Sequence, residues 1–138
     1  MDKRMNIIPK TSTTKGADYK FTGDVYVDVI LKGELPSHVR VNSVHFTPGA
    51  RSAWHAHTMG QTLHVNEGIG VVQARGGEVL LIRAGDTVST VAGEWHWHGA
   101  AKNHFMTHIA IWEAPEEGDE VEWGDHVTDE EYGMQPDN

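Results

Sequence analysis

Short segments of high β propensity, separated by turn residues, occupy most of the chain between residues 24 and 112. They fall at residues 25–31, 39–46, 62–65, 70–74, 79–82, 86–91 and 107–112. Gly, Pro and Asn interrupt them at intervals of roughly 8 to 12 residues, and no segment of comparable length has a convincing apolar period of 3.6 residues. This pattern predicts an all-β domain built as a sandwich or a barrel.

Length and charge distribution indicate one domain with an acidic end. A chain of 138 residues has the size of a single globular domain. We expect a barrel core at about residues 21–113, an N-terminal arm at residues 1–20 and an acidic segment at residues 114–138. Residues 103–138 contain 11 acidic residues and no Lys or Arg, so the net charge of −9 comes mainly from the end of the chain.

Missing features exclude several classes of function. The sequence has no Cys, which excludes disulfide scaffolds, zinc ribbons and thiol nucleophiles. Any metal must therefore be bound by His, Asp, Glu, Asn or Gln. The absence of a basic cluster disfavours nucleic acid and anionic membranes as partners. No apolar run reaches the ~20 residues of a transmembrane helix or follows the start like a secretory signal, so the expected location is the cytoplasm.

Two local patterns concern a turn and a helix cap. The Gly68–Gly70 segment resembles the start of a dinucleotide-binding fingerprint, but Gln73 takes the position of the third Gly and no helix is indicated after it. We therefore expect a turn there. Thr128 and Glu131 match a capping box, which predicts a short helix at residues 128–132.

Ten His among 138 residues are the most informative feature of the composition. His55 and His57 are separated by one residue, and so are His96 and His98. Residues i and i+2 of a strand point to the same face, so both imidazoles of a pair can reach one ion. One such pair is often incidental. Two pairs on the strands of a small barrel, with Gln61 four residues after His57, predict a metal site.

Two segments resemble the motifs of cupins. Residues 49–68 match the first cupin motif at every spacing, with Gln61 at the position usually taken by Glu. Residues 85–100 resemble the second motif, with Val91 where Pro is usual and Ala100 where Asn is usual. The resemblance implies a single-domain cupin fold, which is a double-stranded β-helix or jelly-roll barrel. Because cupins commonly associate through their sheets, it also implies a homo-oligomer.

The resemblance to cupins implies roles for individual histidines. Carried over position by position, it implies that the metal ligands are His55, His57, Gln61 and His96. His98 is then expected beside the metal or one shell further out. His64 has the opposite strand parity from Gln61 and is expected to face away. We expect no functional role for the histidines in predicted loops or on uncertain faces, which are His38, His45, His104 and His126.

Gln61 in place of Glu changes the chemistry that this ligand set would support. Three neutral imidazoles and an amide leave the charge of a bound cation uncompensated, whereas a Glu would offset part of it. The cation is then a stronger electrophile and holds an exogenous anion more firmly, which favours Lewis-acid over redox chemistry. A mixed nitrogen and oxygen donor set does not select one metal, so Mn, Fe(II), Co, Ni and Zn all stay open.

Residues 106–112 alternate as a strand, with His108, Ala110 and Trp112 on one face and two isoleucines on the other. Periodicity alone leaves open which face points into the barrel. If the first face points inward, His108 supplies the pocket with an imidazole that is not a ligand. Such a group is suited to act as a general base near neutral pH.

A closer resemblance, from about Phe21 to Tyr132, is to the small bacterial cupin hydroxynitrile lyases, which depend on manganese. It rests on residues 49–57, 60–63, 96–101, 106–108 and 126–130. It implies Mn(II) as the cofactor and reversible cleavage of a cyanohydrin to an aldehyde or ketone and hydrogen cyanide. In that reaction His108, at the position of a histidine implicated in proton transfer, would remove the hydroxyl proton while the metal stabilises the departing cyanide.

The same resemblance implies which residues surround the substrate. His98 would hydrogen-bond the substrate or steady the pocket. Val44, Phe46 and Trp112 are expected to shape the pocket, and Trp112 is bulkier than the polar residue expected at its position.

Two other functions stay open. A metal-dependent cupin oxygenase would bind a small chelating substrate and dioxygen at the same ion. A non-catalytic module would bind a metal or small ligand without turnover. All three functions imply a small-molecule partner, and kinship of fold does not choose among them.

Overall fold

A computed structural model describes residues 4–137. Within them the chain forms twelve strands and one short helix. The elements are β1 (Thr14–Lys15), β2 (Phe21–Thr22), β3 (Val25–Lys32), β4 (Val39–Phe46), β5 (Arg51–Ser52), β6 (His55–His57), β7 (Gln61–Ala74), β8 (Leu80–Arg83), β9 (Thr87–Thr90), β10 (His96–Ala100), β11 (Met106–Glu113), β12 (Val121–Trp123) and α1 (Asp129–Tyr132).

The strands form a curled antiparallel sheet. Its main path runs β1-β3-β4-β11-β7-β10-β5-β2, while β12 joins through β6, and β8 and β9 pair with β7. The 14-residue strand β7 connects the two halves of the barrel. Its first half pairs with β11 and β9, and its second half pairs with β10 and β8. The prediction of an all-β barrel is confirmed.

Gly68 lies inside strand β7, so the prediction of a turn at the Gly68–Gly70 segment is wrong. Gly68 has a φ of +84°, and a Cβ at this position would meet the Phe105 carbonyl oxygen at 1.8 Å. The register with β11 shifts beside it, between Thr107 and His108. Gly therefore allows a bulge where two strands approach closely, and the two predicted segments on either side are one continuous strand.

The barrel interior is filled by apolar side chains from the inward faces of the strands. Leu63, Val65 and Met106 are at most 1% exposed, and removing such a side chain from water contributes about 1.5–3 kcal/mol. The remaining buried members of this cluster are Val25, Val44, Phe46, Ala50, Val72, Ile82, Ala100 and Ala110. This packing fixes which face of each strand points inward.

A second apolar cluster positions the C-terminal segment against the outer face of the barrel. It contains Trp54, Val71, Val79, Trp97, Val127 and Tyr132. The predicted capping box of α1 is confirmed, because Thr128 accepts from the Glu131 backbone and the Glu131 side chain accepts from the Thr128 backbone. The Tyr132 hydroxyl donates to the Ala100 carbonyl at 2.6 Å. These contacts place the acidic end of the chain on the barrel.

The described part of the chain contains no helix with the length and apolar character needed to span a membrane.

Candidate active site

A pocket of about 350 Å³ opens into one end of the barrel. Its polar wall includes four imidazoles and one amide, supplied by His55, His57, Gln61, His98 and His108. Its apolar wall includes Phe21, Val27, Val44, Ala110, Val121 and both Trp112 and Trp123. Among the residues that the structure describes, no Asp or Glu lines this pocket.

Three imidazoles form a compact group, in which His55 and His98 line the pocket and His96 adjoins them. His55 on β6 lies opposite His96 on β10 in the antiparallel pairing of these strands, and their ring centroids are 4.4 Å apart. His98, two residues after His96, faces the same side of β10, and its ring lies 5.1 Å from that of His55. One nitrogen of each ring lies within 4.8 Å of the other two, and all three residues are buried. This group is suited to binding a divalent metal ion.

His57 and Gln61 adjoin this group. The ring of His57 stacks 5.9 Å from that of His96, and the Gln61 Oε1 atom lies 3.1 Å from His96 Nε2. The four residues implied as ligands by the sequence therefore lie close together, with His98 immediately beside them.

Two backbone carbonyls orient the imidazoles. His55 Nδ1 donates to the Ala53 carbonyl at 2.8 Å, and His96 Nδ1 donates to the Glu94 carbonyl at 2.9 Å. A neutral imidazole has one N–H, so Nε2 of each ring presents a lone pair. In metal sites, a hydrogen bond from the other ring nitrogen fixes the tautomer and the orientation of a ligating histidine in the same way.

The resulting donors fit a cation. His96 Nε2 and Gln61 Oε1 both present lone pairs at 3.1 Å from each other, and neighbouring donor atoms around a divalent ion lie ~3 Å apart at bond lengths of ~2.1 Å. Within the described chain, His57 Nδ1 is buried and has no hydrogen-bond partner. A buried polar atom without a partner is costly, and a bound cation would supply a partner to this nitrogen.

Burial keeps these imidazoles uncharged. Desolvation, followed by repulsion from His96, lowers the pKa of His55 well below its ordinary value and that of His57 to about 3. Desolvation also lowers the pKa of His96 and that of His98. At neutral pH the rings are therefore neutral, which is the state that binds metals.

His108 points into the barrel and is 0% exposed, which resolves the orientation that periodicity left open. Strand β11 lies between β4 and β7, and the face that carries His108 and Ala110 packs inward while Ile111 is exposed. Burial lowers the pKa of His108 to about 4. An uncharged imidazole therefore stands in the pocket beside the metal-suited group.

His98 and His108 form a hydrogen-bonded pair. His108 Nε2 lies 2.9 Å from His98 Nδ1, so one nitrogen donates and the other accepts. In the described chain the outer nitrogens of the pair, His98 Nε2 and His108 Nδ1, have no hydrogen-bond partner. The pair can accept a proton at one end and release it at the other.

The residues expected to shape the pocket take different places. Val44 and Trp112 lie on its wall, and the indole of Trp112 is 5.5 Å from the ring of His57. Phe46 is buried behind the wall, where it contacts the rings of His98 and His108 at 5.8 and 5.3 Å. Phe46 therefore supports the two imidazoles from the apolar core.

Sequence reasoning missed two contributions to the pocket. Trp123 of β12 stacks on His55 with ring centroids 4.7 Å apart, and Glu120 accepts from Trp112 Nε1 at 2.9 Å while it pairs with Arg40 at 3.3 Å. Both belong to the acidic segment, whose local sequence contains no signal that it returns to the barrel mouth. Only the pairing of β12 with β6 brings it there.

The remaining histidines lie outside the pocket. His64 is exposed, as expected from its strand parity, and its Nδ1 atom lies 2.9 Å from the Thr87 hydroxyl. His45 is bonded to Asp28 on the outer face of the sheet. The described residues that line the pocket do not include His38, His104 or His126.

Comparison with known proteins gives consistent results. A family model described as "Cupin domain" matches residues 42–112. The chain is 49% identical over 118 residues to a protein of Granulicella tundricola named (R)-mandelonitrile lyase, covering 86% of this chain and 89% of that protein. The solved structure of a cupin-like protein from Thermotoga maritima is 38% identical, with a TM-score of 0.82 and coverage of 93% of this chain and 95% of that one.

A cupin-2 domain from Rhodospirillum rubrum, only 16% identical, shares the fold with a TM-score of 0.70 over 97% of this chain and 86% of that one. The barrel, the two motif segments on β6 and β10, and these matches lead to one conclusion. The chain belongs to the cupin family.

Proposed function

We propose that this cupin is a metal-dependent hydroxynitrile lyase, which cleaves a cyanohydrin to an aldehyde or ketone and hydrogen cyanide and catalyses the reverse addition. The observation that carries the proposal is the 49% identity, over most of both chains, to a protein named (R)-mandelonitrile lyase. The pocket supports it with a metal-suited imidazole group next to a buried imidazole pair.

Within this proposal, His55, His57, Gln61 and His96 hold a divalent ion, with Mn(II) proposed first and Fe, Ni, Co or Zn as alternatives. When bound, the ion supplies positive charge for a group that becomes negative in the transition state. Gln61 contributes a neutral oxygen where a Glu would add a negative charge, so this donor set leaves more of that positive charge available to the substrate.

The proposal gives His108 the role of general base. Its low pKa keeps it neutral at pH 7, so it can take the substrate's hydroxyl proton as the carbonyl double bond forms. The bond between carbon and cyanide breaks, and its electron pair leaves with the cyanide. An imidazolium in this apolar setting gives up its proton readily, and the proton passes to cyanide to give hydrogen cyanide.

His98 positions this base. Its 2.9 Å hydrogen bond to His108 holds the ring of His108 in one orientation, and Phe46 packs against both rings. The outer nitrogens of the pair are the atoms at which the proposal has the proton enter and leave. Val44 and Trp112 give the substrate an apolar wall, which suits the body of an aromatic or aliphatic cyanohydrin.

The direct test is release of cyanide from each enantiomer of mandelonitrile by the purified protein at a pH low enough to suppress spontaneous decomposition. We expect turnover above the uncatalysed rate, and the same turnover in His64→Ala, since His64 is exposed and lies away from the pocket. Cyanide release no faster than in buffer would contradict the proposal. Oxygen uptake with a catechol or diketone, without cyanide release, would replace it with an oxygenase.

A further inference from the structure

Lys20 stands at the mouth of the pocket with a half-buried side chain. Its backbone is fixed at both ends, because Lys20 N donates to the Ala17 carbonyl at 3.0 Å and the Lys20 carbonyl accepts from Ala53 N at 2.8 Å. Ala53 is also the residue whose carbonyl orients His55. Lys20 is thus tied to the same short segment that positions the imidazole group.

The ammonium group of Lys20 rests on two aromatic rings. It lies 5.5 Å from the ring centroid of Tyr19 and 5.6 Å from that of Trp123, and these two rings meet edge to face at 6.4 Å. Within residues 4–137, no carboxylate lies at ion-pairing distance from Lys20. The neighbouring Lys15, in contrast, is paired with Asp24 at 3.1 Å.

The charge on the wall of the pocket differs from that of the chain as a whole. Two lysines and no acidic residue line it in the described chain, although the whole chain has a net charge of −9. Lys20 is therefore a cation without a counterion in a partly apolar recess, where a charge-assisted hydrogen bond is stronger than in open solvent.

Trp123 sets the spacing between this cation and the imidazole group. Its indole stacks on His55 at 4.7 Å with an interplanar angle of 27°, and the Lys20 ammonium lies against the same ring. One indole thus contacts both ends of the pocket, the Lys20 ammonium and the imidazole of His55. A ligand with the length of a single substituted aromatic ring can reach both ends.

We propose that Lys20 forms a carboxylate subsite, so that this pocket takes a small apolar or aromatic ligand with a carboxylate at the end remote from the imidazole group. As a statement about the substrate, namely a carboxylate-bearing aldehyde or its cyanohydrin, this inference rests on the proposed function. As a statement about binding, it rests on Lys20, Trp123 and the shape of the pocket alone.

The test compares two alcohols that do not react, 4-(hydroxymethyl)benzoate and 4-methylbenzyl alcohol, by quenching of tryptophan fluorescence in the protein as purified. We expect the carboxylate to bind about tenfold more tightly than the neutral alcohol, the effect of one charge-assisted hydrogen bond that is partly exposed. Added salt should reduce this preference because the site opens to solvent.

Three variants complete the test. Lys20→Met should remove the preference for the carboxylate while binding of the neutral alcohol is unchanged, and Lys20→Arg should retain most of it. Lys15→Met is the matched control, since Lys15 also lines the mouth but is already paired, and it should keep the preference. Equal binding of the two alcohols by the parent protein, or a preference that survives in Lys20→Met, would overturn the proposal. Because no turnover is measured, these outcomes are independent of whether mandelonitrile is cleaved.

Discussion

The two faces of the sheet formed by the paired strands β4 and β11 place imidazoles in opposite surroundings. On the outer face, His45 Nε2 donates to the Asp28 carboxylate at 2.9 Å, and His45 Nδ1 lies 3.1 Å from the Thr107 hydroxyl. On the inner face, His108 has only the imidazole of His98 as a hydrogen-bond partner among the described side chains. The outer histidine is hydrogen-bonded to a carboxylate, and the inner one to another imidazole.

This difference decides what each histidine can do. A ring nitrogen that donates to a carboxylate has no lone pair to offer to a metal or a substrate proton. The inner rings are desolvated and face one another, so each is disfavoured as a cation. They keep lone pairs for a metal or a substrate proton. Among the described residues, the lack of acidic side chains on the pocket wall therefore matters to the proposed chemistry as much as the presence of histidines.

The largest expected effect comes from removing an inner imidazole of the proposed ligand set. His96→Ala should reduce cyanide release by more than ~100-fold, which exceeds the effect of losing a residue that only supports a ligand. The matched change on the outer face, His45→Ala, should leave the rate within a few-fold of the parent. Steady-state rates with mandelonitrile measure both, and similar losses in the two variants would remove the distinction between the faces.

The next effect separates the proposed base from the proposed ligands. His108→Asn should lower kcat by about 100-fold or more, as expected for loss of a general base, while the bound metal is retained. Rates and metal content are measured on the same sample. Thr107→Val, one residue away on the outer face, is the control and should remain active. A fully active His108→Asn variant would show that another group moves the proton.

Acid should destabilise the two faces in different pH ranges. The pKa of His108 is lowered from 6.5 to about 4 in the folded protein. Above pH 6.5 the ring is neutral in both states, and below it only the unfolded chain takes up the proton. Stability is therefore lost as pH falls from about 6.5 to about 4, by on the order of 3 kcal/mol for this residue.

On the outer face, hydrogen bonds from Thr13 and then from His45 hold the pKa of Asp28 below its ordinary value of 3.8. The ionised Asp28 carboxylate therefore stabilises the fold above pH 3.8, and this contribution is lost only as the pH falls below 3.8. Urea unfolding of metal-free protein between pH 7 and 4 measures the difference. His108→Leu should flatten the pH dependence, whereas His45→Gln should not, and an equally steep profile in His108→Leu would contradict the assignment.

The smallest expected effect comes from a substitution that adds a carboxylate to the inner site, as on the outer face. Gln61→Glu adds a carboxylate to the proposed ligand set, which should offset the charge of a bound cation and lower kcat by about tenfold, equivalent to one pKa unit of altered electrostatics. Gln73→Glu outside the pocket, where the side chain accepts from Trp97, is the control. An unchanged or higher kcat in Gln61→Glu would show that a neutral fourth donor is not needed.

The sequence predicted the secondary-structure elements that depend on residues close together in the chain. The capping box of α1 and most of the long strands follow from residues close together in the chain. The short strands β5, β6 and β12, of two or three residues each, are too brief to produce a periodic signal. Strand β7 was expected as two pieces because Gly68 looks like a turn residue unless the approach of Phe105 is known.

The site was predictable only in part for the same reason. The His-x-His spacing places two rings on one face of a strand, but the inward direction of His108 depends on the pairing of β11 with both β4 and β7. Lys20 and Trp123 lie more than a hundred residues apart in the sequence. Their contact needs the folded positions of β12 and of the segment before β2.

Metal content tests the central claim most directly, because the proposed chemistry requires that the inner imidazoles bind a cation. Plasma mass spectrometry of the purified, untagged protein should find close to one divalent transition metal per chain. His96→Ala should have lost it, while His45→Ala should retain it. Absence of metal from the parent protein after incubation with Mn(II), Fe(II) and Zn(II), or equal metal in the parent and His96→Ala, would contradict the account.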